Sequence, residues 1–166
     1  MQASNSNRLQ FQQLVRHPVK FSMFLFSKLP SAFFSGVRVK SIDDNKTVVT
    51  VPYKWFSQNP FKSTYFACLA MAAEMSTGLL GLMYTYKREP AISMLVVGLE
   101  ATYHKKATAI TIFTCEDGAA INDTIEEAIR TGEGRSMKAR STGINIDGEL
   151  VAEFFVTWSF KARRSL

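Results

Sequence analysis

Apolar and polar positions alternate with a period of two over several stretches of the chain and with a helical period over the others. Val37 to Ile42 and Thr47 to Tyr53 flank the turn-forming Asp43-Asp44-Asn45-Lys46 and predict a β-hairpin. Ile92 to His104 and Ala107 to Cys115 predict a second strand pair around His104-Lys105-Lys106. Met137, Ala139, Ser141 and Gly143 alternate with Lys138, Arg140 and Thr142. Asp147-Gly148 then turns the chain into a strand whose Leu150, Ala152, Phe154, Val156, Trp158 and Phe160 share one face. The basic run Lys161-Ala162-Arg163-Arg164 reads as a solvated end.

Between these strands lies one long apolar helix. Asn59-Pro60 stops the preceding segment, Ser63 or Thr64 can cap the helix start, and the helix is expected to run to about Tyr86. At 100° per residue, Glu74 shares its face with Ala67, Ala70, Met71, Thr77, Gly78 and Gly81. A single carboxylate therefore sits on a face built for close contact. Gly in a helix interior costs about 1 kcal/mol relative to Ala, so packing has to compensate for Gly78 and Gly81. A sheet wrapped around the helix meets that need. Asp123-Thr124-Ile125-Glu126 has capping-box spacing and predicts a short helix to Arg130, ended by Gly132 and Gly134.

The N-terminal region, Asn7 to Leu29, reads as two helical pieces parted by His17-Pro18. Phe21, Met23, Phe24, Leu25 and Phe26 surround the second piece, which must cover something: a core, a subunit contact, a membrane surface or an acyl-chain gate. Residues 1–29 are read as a helical arm and 30–166 as a single domain. Runs of antiparallel strands around one long helix indicate an α+β fold, because crossover helices between successive parallel strands are absent.

Composition narrows the picture modestly. The 166 residues can bury a core without disulfides. Cys68 and Cys115 form neither a metal spacing nor a disulfide framework and read as buried thiols. Twenty Lys and Arg against fourteen Asp and Glu favour an anionic partner of unspecified kind. The sequence has no Gly-rich phosphate loop, nucleophile elbow, paired metal ligands or RNA-binding aromatic motif. No metal, no bound cofactor and no nucleic acid is therefore expected. Leu69 to Met83 falls short of a bilayer span and carries Glu74, and Met1 to Gln13 is too polar for a signal peptide; a cytoplasmic protein without a transmembrane segment is expected.

One candidate for chemistry remains, Glu74. The stretch Tyr65-Phe66-Ala67-Cys68-Leu69-Ala70-Met71-Ala72-Ala73-Glu74, with the strand, helix, strand order from Gly36 to Lys161, resembles the hotdog-fold acyl-CoA thioesterase superfamily. Many of its members begin the central helix with His-Gly-Gly and carry an acid nine positions after the His; Glu74 stands nine after Tyr65. Asn59-Pro60-Phe61 and Ala72-Ala73-Glu74 resemble more closely a domain-of-unknown-function branch related to phenylacetyl-CoA-type thioesterases. The resemblance implies an antiparallel sheet around a long central helix and a homodimer or a dimer of dimers with sites at the seam. It also implies hydrolysis of acyl-CoA or another acyl thioester, with Glu74 as nucleophile or general base and the Phe66 backbone N–H polarising the carbonyl. Tyr65-Phe66-Ala67 in place of His-Gly-Gly means that Tyr65 and Phe66 either join the core or narrow the acyl site. Asn59 is expected to order the helix-entry loop or place a water. Met71 is expected to pack, and Thr77, one turn from Glu74, to face the core or orient water or carboxylate. Arg135, Lys138 and Arg140 are solvated cations or contacts for the phosphates of coenzyme A. The alternative to hydrolysis is a non-catalytic protein that binds an acyl chain or acyl carrier in the same tunnel.

Overall fold

The computed structural model describes residues 2–163, with side chains from residue 5 onward; Arg164 of the basic end and the two residues after it lie outside the described residues. Three helices open the chain: α1 (Gln2–Arg16), α2 (Pro18–Lys28) and α3 (Pro30–Ser35). Then come β1 (Arg38–Ile42), β2 (Thr47–Val51), a 3₁₀ turn at Trp55–Ser57, α4 (Phe66–Thr85), β3 (Ile92–Tyr103), β4 (Thr111–Cys115), α5 (Gly118–Thr131), β5 (Arg135–Ile144) and β6 (Leu150–Ala162). The strands form one antiparallel sheet in the order β1-β2-β4-β5-β6-β3.

The sheet curls around α4, which packs against β2, β4 and β5. Ala139, Ser141 and Gly143 of β5 and Ala152, Phe154, Val156, Trp158 and Phe160 of β6 are buried, as the alternation predicts. Phe113, Phe154, Phe160, Leu80 and Met83 fill the space between sheet and helix. At twenty residues, close to the expected span ending near Tyr86, α4 is by length and composition apolar enough to cross a bilayer. Burial within the sheet accounts for its character as a core helix.

Four expectations need correction. First, β3 and β4 do not pair. β3 pairs with β6 at the sheet edge, while β4 lies between β2 and β5. The connection 104–110 must pass β6 and β5, about 14 Å at the usual strand spacing and within reach of seven extended residues. It is pinned on the way, because the N–H groups of His104 and Lys105 donate to the Val151 carbonyl at 2.8 and 3.1 Å.

Second, neither Ser63 nor Thr64 caps α4. The N-cap is Tyr65, without a side-chain cap bond. The Ser63 hydroxyl donates to Asn59 Oδ1 at 3.2 Å and that of Thr64 to the Ala107 carbonyl at 3.2 Å. Third, α5 starts at Gly118 rather than Asp123. The Gly118 N–H donates to the Asn45 carbonyl at 3.0 Å, so a tertiary contact with the β1–β2 turn sets the helix start. Fourth, the helical arm extends past residue 29. Pro30 opens α3, which Gly36 ends in the left-handed region at φ 81°.

The arm is joined to the core through Phe11, Val15, Phe21 and Leu25. Gln12 donates to Asp44 Oδ1 at 2.7 Å, and Arg16 Nε to the Ile42 carbonyl at 3.1 Å. His17 acts as the N-cap of α2, its Nδ1 accepting from the Lys20 N–H at 3.4 Å. Cys68 and Cys115 are free and buried, and burial pushes the Cys115 thiol up to about 12.

A Cβ at Gly118 would lie 2.2 Å from the Asp44 carbonyl oxygen, an atom of the backbone that cannot rotate away. Gly118→Ala is therefore expected to lower the unfolding free energy by about 2–3 kcal/mol in urea titration. Gly134→Ala, whose Cβ meets nothing within 4 Å, is the control and is expected to change it by less than about 1 kcal/mol.

Candidate functional site

Two adjacent hydroxyls fix the rotation of α4. Ser76 Oγ donates to the Ala73 carbonyl and shares a 2.7 Å hydrogen bond with Ser141 Oγ of β5. Thr77 Oγ1 donates to the Glu74 carbonyl at 2.9 Å and accepts from Trp158 Nε1 of β6 at 2.8 Å. With the helix held this way, Glu74 points out of the core into a cavity of about 270 Å³ beneath the arm. Phe21, Phe24 and Leu29 of the arm form one wall; Leu82, Met94 and Trp158 form much of the rest. Gly78 makes room: a Cβ there would lie 3.0 Å from the Trp158 ring and 3.3 Å from Glu74 Oε1.

Among the described residues no donor reaches the Glu74 carboxylate and no cation pairs with it. Desolvation alone raises its pKa from the ordinary 4.5. A glutamate serving the fold would hydrogen-bond a strand or cap a loop; this one faces an apolar cavity with its oxygens unspent. Such a group can take a proton from water or attack an electrophile itself.

The start of α4 offers a second feature. The loop before it is tied down by the Tyr65 N–H donating to the Ser57 carbonyl at 2.7 Å and the Thr64 N–H to the Ala107 carbonyl at 2.8 Å. Asn59 orders this loop as expected, its Oδ1 accepting from the N–H groups of Phe61 and Ser63 at 3.0 and 3.2 Å. The N–H groups of Phe66 and Ala67 open the helix and meet no acceptor among the described residues. They stand at the positive end of the helix dipole, beside a cavity of about 560 Å³ bordered by Asn59, Phe61, Tyr65, Phe66, Leu69 and Tyr103. Tyr65 and Phe66 are exposed, with ring centroids 4.8 Å apart, so they border this cavity instead of joining the core.

No protein-family model and no curated protein matches the chain. Solved structures do match. A Pseudomonas aeruginosa protein of unknown function, described as a probable thioesterase, superposes with a TM-score of 0.73 at 18% identity, over 88% of this chain and 97% of that one. A Chlorobaculum tepidum protein of unknown function gives 0.71 at 16% identity, over 88% and 97%. A thioesterase from Haemophilus influenzae gives 0.65 at 10% identity, over 87% and 90%. This is the hotdog fold.

Within that hotdog fold one chain does not bring the expected residues to one point. Glu74 and the Phe66 N–H lie eight residues apart on α4, about 12 Å along the axis, and open to different cavities. Ala67 and Met71 are half-buried between them. Arg135, Lys138 and Arg140 line neither cavity. Arg135 pairs with Glu133 at 3.0 Å, Lys138 with Glu100 at 2.5 Å and Arg140 with Glu153 at 2.5 Å. Trp158 and Met94 beside Glu74 are not legible in the sequence, since nothing in the strand alternation shows which stretch of β6 or β3 crosses the middle of α4. That the arm must cover something was legible; what it covers is Glu74.

Burial raises the pKa of Glu74, so the folded state holds its proton to a higher pH than the unfolded chain does. Stability is therefore lost as pH rises from the ordinary 4.5 through the folded value, and then levels off. Glu74→Gln removes this penalty. The melting temperature of the variant relative to wild type is expected to rise across that window; a constant difference from pH 4 to pH 8 would contradict the cavity environment described.

Proposed function

We propose that the chain is an acyl-thioester hydrolase acting on acyl-CoA or a related thioester, working as a dimer or a dimer of dimers in the cytoplasm. The observation that carries this reading is the unpartnered, desolvated carboxylate of Glu74 facing an apolar cavity. The names of the solved thioesterases with the same fold support it.

The separation of Glu74 from the free N–H groups of Phe66 and Ala67 is the argument for two copies. β3 is a twelve-residue edge strand that leaves Leu95, Val97, Leu99 and Tyr103 exposed and one row of backbone groups unpaired. A strand of that length and character invites pairing with another chain. In the proposal two β3 strands pair edge to edge, and Glu74 of one copy faces the start of α4 in the other. The thioester oxygen takes hydrogen bonds from the Phe66 and Ala67 N–H groups. Glu74 then removes a proton from the attacking water and hands it to the thiolate as the C–S bond breaks, or its carboxylate attacks first, expelling the thiolate and forming an anhydride that water opens to release the acid and restore Glu74.

Tyr65, Ala67 and Met71 border the acyl path, Asn59 holds the loop beside it, and Thr77 keeps Glu74 aimed through its main chain and Trp158. Arg135, Lys138 and Arg140 enter only as candidates for the coenzyme's phosphates, each exchanging its carboxylate partner for a phosphate. The exposed rings at Tyr65 and Phe66 favour a second reading, a binder of acyl chains or acyl carriers without turnover.

Thiol release from acyl-CoA substrates of several chain lengths decides between the readings. Wild type is expected to turn over, and Glu74→Gln to lose about 10²-fold or more while keeping its circular dichroism spectrum. Equal rates in both proteins would remove Glu74 from the reaction. Tight acyl binding with no turnover in either would establish the binder.

A further inference from the structure

Where α2 and α3 meet the segment that follows β2, five aromatic rings form a continuous chain. Phe26 of α2 meets Phe33 and Phe34 of α3 at 5.3 and 6.1 Å between centroids, Phe34 meets Phe56 at 5.6 Å, and Phe56 meets Trp55 at 5.9 Å. Phe33 is partly buried against the core, and the other four are exposed. Trp55 is 80% exposed, Phe26 56%, Phe56 51% and Phe34 45%. Contiguous apolar surface of this kind is rare on a protein that presents it only to water.

The charge around it is of one sign. Residues 1–42 contain six Lys and Arg and no Asp or Glu, a charge equal to the +6 of the whole chain. Arg38 lies 5.2 Å over the Phe33 ring, and the Lys54 amine reaches over Gly36 at the end of α3. Elsewhere Lys46, Arg88, Lys105, Arg130, Arg135, Lys138 and Arg140 pair with carboxylates, as Arg8 of the arm does with Asp44, while Lys62, Lys87, Lys106 and Lys161 are scattered away from the rings without such a partner among the described residues. Among the described residues Lys20, Lys28, Arg38, Lys40 and Lys54 have no such partner.

We infer that this aromatic and cationic face docks on the surface of an anionic lipid bilayer. Exposed Trp and Phe rings enter the boundary between headgroups and acyl chains, and the unpaired lysines meet the lipid phosphates. A second copy of the chain suits the face poorly, since a two-fold contact through it would bring unpaired cations together with no acid to receive them. The patch lies beside β1, at the opposite sheet edge from the β3 strand assigned to dimer formation, and the inference does not depend on Glu74.

The test uses the full chain and large unilamellar vesicles, of phosphatidylcholine alone or with about one third phosphatidylglycerol. Co-sedimentation with the anionic vesicles is expected, weakened by added salt and nearly absent with neutral ones. Because Trp158 is already buried, a blue shift in tryptophan emission on binding reports Trp55. Trp55→Ser with Phe56→Ser is expected to lower partitioning about tenfold or more, and Lys28→Gln about fivefold. All the substituted residues are exposed, and circular dichroism checks that the variants fold. No sedimentation with anionic vesicles, or equal binding by the aromatic double variant, overturns the inference. So does a loss of oligomer in that variant by analytical ultracentrifugation, which would show another protein chain on the face.

Discussion

The candidate site depends on how α4 is turned inside its sheet. An apolar helix enclosed on most sides has little in its hydrophobic pattern to choose one rotation over another. Two neighbouring hydroxyls make the choice: Ser76 binds Ser141 of β5, and Thr77 accepts from the buried indole of β6. An indole N–H left without its acceptor in this interior would cost on the order of 1–3 kcal/mol, so the arrangement resists sliding and rolling. Polar side chains here do more for aim than for adhesion. They send Glu74 toward the one side of the helix that the sheet leaves open and the arm covers.

The same geometry explains why an acid sits in so unfavourable a place. Its carboxylate is stripped of much of its water without a compensating donor, and that cost falls on the stability of the fold. The arm deepens the desolvation, because Phe21, Phe24 and Leu29 roof the cavity. Stability given up at one side chain, in a domain that otherwise pairs its buried hydroxyls carefully along α4, fits a site kept for chemistry.

How much of this the sequence discloses depends on which interactions decide each feature. Strand faces at 139–143 and 152–160 were legible because burial on one side imposes alternation, whereas Leu150, expected on the same face, is exposed and Val151 is buried in its place. The presence and apolar character of α4 were legible for a similar reason, and so was the isolation of Glu74 on its face. Three features decided by contacts distant in sequence were not. The start of α5 is set by the Asn45 carbonyl and the crowding of Gly118 against Asp44, which overrode the local capping pattern at Asp123. β3 looked like the hairpin partner of β4 because a short basic loop joins them, whereas pairing with the longer β6 buries more of the ladder. Thr77, adjacent to neither Trp158 in sequence nor any obvious motif, showed its hydrogen-bonding role only once β6 was folded over α4. At the site, Glu74 and the helix start could be named from the resemblance, but not the distance that separates them in one chain.

That distance makes a site shared between two copies the central claim, and subunit mixing tests it directly. Phe66→Pro removes one N–H donor at the first helical position, where proline is well tolerated, and Glu74→Gln removes the acid. Each variant alone is expected to be nearly inactive in thiol release. After denaturation and refolding of an equal mixture, half the dimers carry one chain of each kind and one intact site, so about one quarter of wild-type activity should return. Recovery at that level places the acid and the donor on different chains; a mixture no more active than its components would contradict the shared site.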